Sequence, residues 1–487
     1  MRVVLGVAVV LAIFLRAHDI ATNPPELFED EISGAMSAWS VVTTGHDVIA
    51  DHLPLFTTRL GPQLPLYGLA TVPFQAVLGH TVLAVRLPAV LFGVADVLLL
   101  YALVVALGGK RLGLITAAVA AVLPWAVHFS RIGWDNAAYP PVLLAGLLLL
   151  HGALRRADAR WAIAAAVVLA LSVYTYQIAI LMTPLFALAL AWPLRSRARE
   201  LPVRDVVTAV AAGLAIVAPY VWRTLAVPEF TARARSISTF ADGVTGASLA
   251  TFVNNYLANL SPVYLFVSGD DNLRHGTGRG ELLLWMLPFA VLGGAWCVTR
   301  APRSVLAFAA LAWLALAPLP AAITDDGVPH AARGMLGIVA WPIVVAIGVD
   351  LAWRAIPRRR TVAAGFAILI LAETGSYYRD LYERYPLRSG GAWEYGAART
   401  MAAVRSLTPP GASACIGTIS YFTFPHYERW YLSGVPFHVV ERDVDRCGAP
   451  GDVLALPADD PAPPHAREAL RIDGLDGAPI VRIWRRE

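Results

Sequence analysis

Long, charge-poor apolar stretches recur along this chain, and they limit what it can fold into. Each is roughly 16–25 residues long, which suits a hydrocarbon layer about 30 Å thick. They lie near 1–17, 83–107, 112–129, 140–153, 161–177, 179–194, 206–222, 281–298, 305–322, 335–352 and 362–377. An α-helical polytopic membrane protein with about eleven transmembrane helices is therefore expected; the fourth stretch is short, and 161–194 allows another division. Composition agrees: 57% of residues are hydrophobic and 15% charged, against about 45–50% and about 25% in soluble domains. A net charge of +4 gives nucleic-acid binding no support. Arg2 before the first apolar run would also suit a signal peptide. No clear small-x-small cleavage site follows it, so an uncleaved first helix is expected.

Orientation follows from the basic loops. The loops 108–111, 154–160, 195–205, 299–304 and 353–361 carry Lys110, Arg111, Arg155, Arg156, Arg160, Arg195, Arg197, Arg199, Arg204, Arg300, Arg303, Arg354, Arg358, Arg359 and Arg360. They are expected to be cytoplasmic, with the N-terminus inside a plasma membrane and the C-terminus outside. Two outer loops are long, 18–82 and 223–280. The first holds two candidate interfacial helices. One has Ile32, Met36, Trp39 and Val42 on a single face and could end at Gly45. The other runs through Leu64, Tyr67 and Val72 towards Leu78. Beyond Tyr377 the apolar runs become short and alternating, as in Ala414 to Ile419 and Pro436 to Val440. A membrane domain over 1–380 and a small extracytoplasmic α/β or β domain over 381–487 are expected. Cys415 and Cys447 both fall in the latter; in an oxidising compartment they could pair, and two free thiols fit equally. No CxxC occurs, so no zinc site is suggested.

The strongest local polar signal is Phe28-Glu29-Asp30-Glu31, just after the first helix. It can be read as helix capping, with Asp30 as N-cap. More polar residues fall on the same side: His46, Asp47, Asp51, His52 and Arg59; Arg86; Ser130 to Asn136; Tyr174, Tyr176 and Gln177; Asp270 to His275; and Asp325, Asp326, His330 and Arg333. Together they suggest a polar cavity opening outward, with acids to move protons and Arg or His to hold an anion. Arginine's planar, always charged fork suits phosphate. A lipid-phosphate substrate is expected, although the same residues suit an ion pathway. Asp30, Asp47 and His52 could also form a divalent-metal site.

These segments resemble the membrane glycosyltransferases of the GT-C fold, in particular family 39, the protein O-mannosyltransferases and the aminoarabinose transferases of lipid A. The resemblance covers roughly residues 1–380. It is carried by Asp30-Glu31, Thr44-Gly45-His46-Asp47, Leu53-Pro54, Pro65-Leu66-Tyr67, Val85-Arg86-Leu87-Pro88 with Gly93, Pro124-Trp125, Ser130-Arg131, Tyr174 with Pro184, Asn272-Leu273-Arg274-His275, and Pro329-His330 with Arg333. It implies inverting transfer of a sugar from a polyprenyl-phosphate donor to an acceptor hydroxyl at the extracytoplasmic face. Asp30 would be the catalytic base and Glu31 a supporting residue. Arg86, Arg131, Arg274, His275, His330 and Arg333 would hold the donor phosphate. Asp47, Tyr67 and Tyr174 would serve the acceptor or sugar. No cofactor or metal is implied by the protein mannosyltransferases. Mannose, arabinose or aminoarabinose donors fit, with a protein, glycolipid or glycan as acceptor. Tyr421, Tyr427, Trp430 and Tyr431 could hold a sugar face or fill the small domain's core. The alternative is a transporter or flippase of a lipid-linked intermediate, for which Asp96, Asp350 and Glu373 would be the ionisable groups near the bilayer interior. A non-catalytic scaffold would not need the Asp30 cluster.

Overall fold

The computed structural model describes residues 2–48, 64–227, 229–355, 359–417, 430–431, 437–440 and 447–487. Of the residues named above, Asp51, His52, Leu53, Pro54, Arg59, Arg358, Tyr421 and Tyr427 lie outside this set. Among the described residues, seven helices are long and apolar enough to cross a membrane: Val82–Gly108, Asp135–Arg156, Ala179–Ala198, Val203–Ala226, Leu284–Arg303, Val305–Ala322 and Gly337–Ala355. Each coincides with one of the apolar stretches. The other four stretches are helical as well. They form α1 (Arg2–Ala17), a helix over Lys110–Ala121 followed by a short one over Pro124–Phe129, a helix over Ala159–Leu171, and one over Arg359–Arg379. The break in the third stretch falls at Pro124, which has no N–H to continue a helix and so begins the next one.

The chain divides into two compact units. The first comprises Met1–His18, Leu55–Tyr67 and Leu87–Asp380, the apolar bundle. Its helices approach closely where glycine allows it. A Cβ on Gly293 or Gly348 would strike the backbone of Val344 or Phe289, so the Leu287–Arg300 and Gly337–Ala355 helices touch backbone to backbone. Helix ends inside the bundle are satisfied by buried arginines. Arg16 donates to Ala120 and Ala121 O at 3.2 and 3.0 Å, closing the Lys110–Ala121 helix. Arg131 donates to Leu15 and Arg16 O at 3.2 and 3.1 Å, closing α1. The last carbonyls of a helix have no partner of their own, and a buried end must find donors.

The second unit comprises Asp19–Pro54, Gly68–Arg86 and Leu381–Glu487. Its sheet contains β1 (Ala414–Gly417), β2 (Phe437–Val440), β3 (Val453–Pro457), β4 (Ala466–Asp473) and β5 (Pro479–Arg486) in the order β2-β1-β3-β5-β4. β1 is parallel to β2 and β3, whereas β5 is antiparallel to β3 and β4. The Ala397–Leu407 helix buries Met401 and Val404 with Ile416, Val453 and Ile483. Cys415 and Cys447 are joined by a disulfide. The small domain is therefore α/β. The division by contacts also brings two pieces of the first long loop into this unit. The helix α2 (Glu29–Thr44) buries Ile32, Ala35 and Met36 in the same core, while Val42 stays exposed. Its end is set by Gly45 at φ +78°, a left-handed conformation that costs glycine little.

Candidate active site

In the second unit the acidic cluster opens α2. The helix is capped from Phe28 rather than Asp30: Glu31, in its first turn, reaches back to accept from Phe28 N at 3.0 Å. Asp30 is exposed beside it. Glu31 is fully buried and takes both its oxygens to Arg86, with Nε–Oε1 at 2.9 Å and Nη2–Oε2 at 3.0 Å. Arg86 donates further to the carbonyls of Ile20 (3.3 Å), Pro24 (2.7 Å) and Glu26. Its Cζ lies 5.8 Å from the ring centre of Trp393. A guanidinium has five N–H donors, and all five of Arg86 are used here, leaving none for a phosphate. The ion pair instead fixes the start of α2.

Glu26 is buried nearby and accepts from Gly396 and Ala398 N, at the start of the Ala397–Leu407 helix. Burial raises its pKa above the ordinary carboxylate value, against the pull of those amides and of Arg86. Asp47 is buried; Oδ1 accepts from Val48 N at 2.6 Å, and Oδ2 has no hydrogen-bond partner among the described residues.

The first unit holds the other expected residues. Asp270 is the hub of a polar node. Its Oδ1 accepts from Asn272 N at 2.8 Å, and its Oδ2 accepts from Ala331 N at 2.8 Å and lies 3.2 Å from His275 Nδ1. His275 donates Nδ1–H to that carboxylate. His330 stacks on His275 with ring centres 4.3 Å apart. Its Nδ1 accepts from Arg333 N at 3.3 Å. Burial, then the neighbouring His275 and Arg333, push His330 well below the ordinary imidazole pKa, so it is neutral. Arg274 follows Asn272 in the same loop, with its N–H on Asn272 Oδ1 at 3.0 Å, and its carbonyl accepts from His128 Nε2 at 2.9 Å. Arg333 is held by its own loop through Thr324 Oγ1 (2.9 Å), Asp326 O (2.8 Å) and Asp326 Oδ2 (2.9 Å). Glu281 is buried beneath, accepting from Asp270 N at 3.3 Å; burial and the Asp270 charge raise its pKa well above the usual range. Arg131 is committed to the end of α1, as described. Tyr67 is buried against Phe92, and Tyr174 donates to Ile216 O at 2.7 Å.

The structure thus brings together Asp30, Glu31 and Arg86, and separately Arg274, His275, His330 and Arg333. Asp270 was read from sequence only as one of a run of outer polar residues, and Glu281, Glu26 and His128 were not selected; isolated acids and a histidine at the edge of an apolar block carry no signal of their partners.

Asp270, His275 and His330 each bring a metal-ligand atom within 4.8 Å of the others. The two imidazoles lie face to face, 24° from parallel. Their lone pairs lie in the ring planes and so run side by side instead of converging. His330 Nδ1 is already accepting a hydrogen bond. These residues do not fit a shared divalent ion, and His52 of the other expected set lies outside the described residues.

Of the residues named for a transport path, Asp350 and Glu373 are committed elsewhere. Asp96 is buried in the field of Arg16. Asp350 pairs with Arg111 at 2.7 Å and Arg354 at 2.8 Å. Glu373 accepts from Leu284 N and from Trp285 N at 2.9 Å.

Residues 63–222 match a family model described as dolichyl-phosphate-mannose-protein mannosyltransferase. A comparison with curated protein sequences finds no match. Among solved structures, ArnT from Cupriavidus metallidurans, bound to undecaprenyl phosphate, superposes with a TM-score of 0.60 at 13% identity, over 99% of this chain and 97% of that one. The archaeal oligosaccharyltransferase AglB from Archaeoglobus fulgidus, in complex with an inhibitory peptide and a dolichol-phosphate, gives 0.55 at 12% identity, over 89% of this chain. The match spans 63% of AglB's length. With its apolar helices, its small terminal sheet and these structural counterparts, the chain has the polytopic GT-C fold that its sequence resembles.

Proposed function

We propose that this protein is an inverting glycosyltransferase that moves a sugar from a polyprenyl-phosphate donor to an acceptor hydroxyl at the extracytoplasmic face of the membrane. The observation that carries this reading is the exposed Asp30 carboxyl on the first turn of α2, set beside a buried Glu31–Arg86 pair that holds that turn in place. An exposed carboxylate on a fixed turn can accept a proton. Asp30 takes the proton of the acceptor hydroxyl as its oxygen bonds to the anomeric carbon. The bond from that carbon to the phosphate oxygen breaks, and its electron pair leaves with the polyprenyl phosphate. The transition state has oxocarbenium character, and the leaving phosphate needs donors. Arg274, His275, His330 and Arg333 remain the candidates for that part. Asp47, Tyr67 and Tyr174 remain the acceptor or sugar candidates.

The family-model match and the lipid phosphates bound by ArnT and by AglB support a lipid-linked donor. The basic loops and the Cys415–Cys447 disulfide support an outward-facing C-terminal domain, because disulfides persist in oxidising compartments. The experiment is to reconstitute the purified protein in vesicles with polyprenyl-phosphate mannose, arabinose or aminoarabinose and an extract of envelope acceptors. Release of polyprenyl phosphate from one donor is expected. Release from none, with the lipids crossing the bilayer faster, would replace this reading with transport.

A further inference from the structure

An open groove of about 530 Å³ lies on the second unit, lined by Ala402, Arg405, Ser406, Trp430 and Tyr431. Its size is that of a small-molecule site. Ala402, Arg405 and Ser406 are spaced to share one exposed face of the Ala397–Leu407 helix. Trp430 and Tyr431 pack on the core only in part. The aromatic surface continues beyond the groove: His80 lies 5.1 Å from Trp430 and 5.2 Å from Trp39, and Trp430 lies 6.4 Å from Tyr431. Flat aromatic faces suit the C–H face of a sugar ring, an amphipathic surface that peptides rarely present.

The groove also has electrical polarity. Arg405 supplies a cation, and forms no ion pair among the described residues. Tyr431 lies in the field of Glu26, Glu31 and Glu394, tempered by Arg86. The Arg405 side of the groove therefore favours an anion, while the Tyr431 side lies in a negative field. We propose that this groove is the acceptor subsite for an anionic saccharide, with a carboxylate or phosphate substituent on Arg405 and a sugar ring on Trp430; it rests on the transferase reading above.

The test is binding, measured apart from turnover. Fluorescently labelled trigalacturonate, neutral galactotriose and a glutamate-rich hexapeptide are titrated onto the full-length protein in detergent, alongside donor consumption. Trigalacturonate should bind about tenfold more tightly than galactotriose, as a charge-assisted contact allows. Arg405→Gln should erase that preference and Arg405→Lys should keep most of it. Trp430→Ala should weaken both sugars, with Trp430→Phe, which keeps a flat ring, recovering part of the loss. Equal binding of both trimers, an unchanged preference in Arg405→Gln, or tighter binding of the hexapeptide would overturn the subsite. Saccharide binding with this pattern, but no donor consumed, would leave the subsite standing and defeat the transfer reaction instead.

Discussion

At the scale of residues, Asp30 and Glu31 are neighbours in sequence with opposite surroundings. Glu31 is sealed against Arg86, and Asp30 faces out. The sequence reveals that acids cluster after the first helix. It does not reveal which acid is buried, because that depends on Arg86, which lies far along the chain and spends its donors on three carbonyls as well. The same distance explains why Arg86 reads as a phosphate ligand from sequence and proves to be a structural one. Removing one partner of a buried pair strands the other charge, which costs about 3–5 kcal/mol, whereas replacing both by apolar residues of similar size is often neutral. Glu31→Gln should therefore lower the unfolding temperature sharply, and Glu31→Leu with Arg86→Met should not recover it here, because the carbonyls of Ile20, Pro24 and Glu26 lose their donors. Differential scanning fluorimetry of the three proteins checks this; a Glu31→Gln protein as stable as wild type would mean that the pair does not hold the turn.

At the scale of elements, the helices were legible because each apolar stretch long enough for a bilayer became one, and Pro124 marks the break that composition alone smooths over. The strands were less legible. β1 and β2 are four residues each, too short for alternation to set a register, and the core that buries Ala414 and Ile416 of β1 is completed by Met401 and Val404 of the Ala397–Leu407 helix. The loops around Asp270 and His330 were legible only as polar. Their geometry depends on one carboxylate reaching Ala331 N across a sequence gap of 61. This joint has a pH signature. His330 is held below its ordinary value of 6.5, so on acidification the unfolded chain takes up the proton first. Stability of the joint should rise with pH up to about 6.5 and fall as pH drops below it. Protection from hydrogen exchange over 269–282 and 323–336, corrected for the intrinsic amide rate at each pH, should be lower at pH 5 than at pH 7.5. The difference should shrink in His330→Asn. A pH response unchanged in that variant would remove His330 as its source.

At the scale of the whole molecule, the account requires that the basic loops and the C-terminal domain lie on opposite sides of the membrane. In a protein freed of Cys297 by Cys297→Ala, Asp460→Cys should react with an impermeant maleimide in intact cells, and Arg156→Cys only after permeabilisation. The reverse pattern would invert the topology and put the Asp30 cluster at the wrong face. The measurement closest to the central claim is transfer of radiolabelled sugar from the polyprenyl-phosphate donor by wild type and Asp30→Asn at matched expression, with donor affinity measured in parallel. Loss of a general base typically costs about 100- to 10,000-fold. The account predicts a loss in that range with donor affinity kept; equal transfer by both proteins would contradict it and return Asp30 to a place in the first turn of a helix.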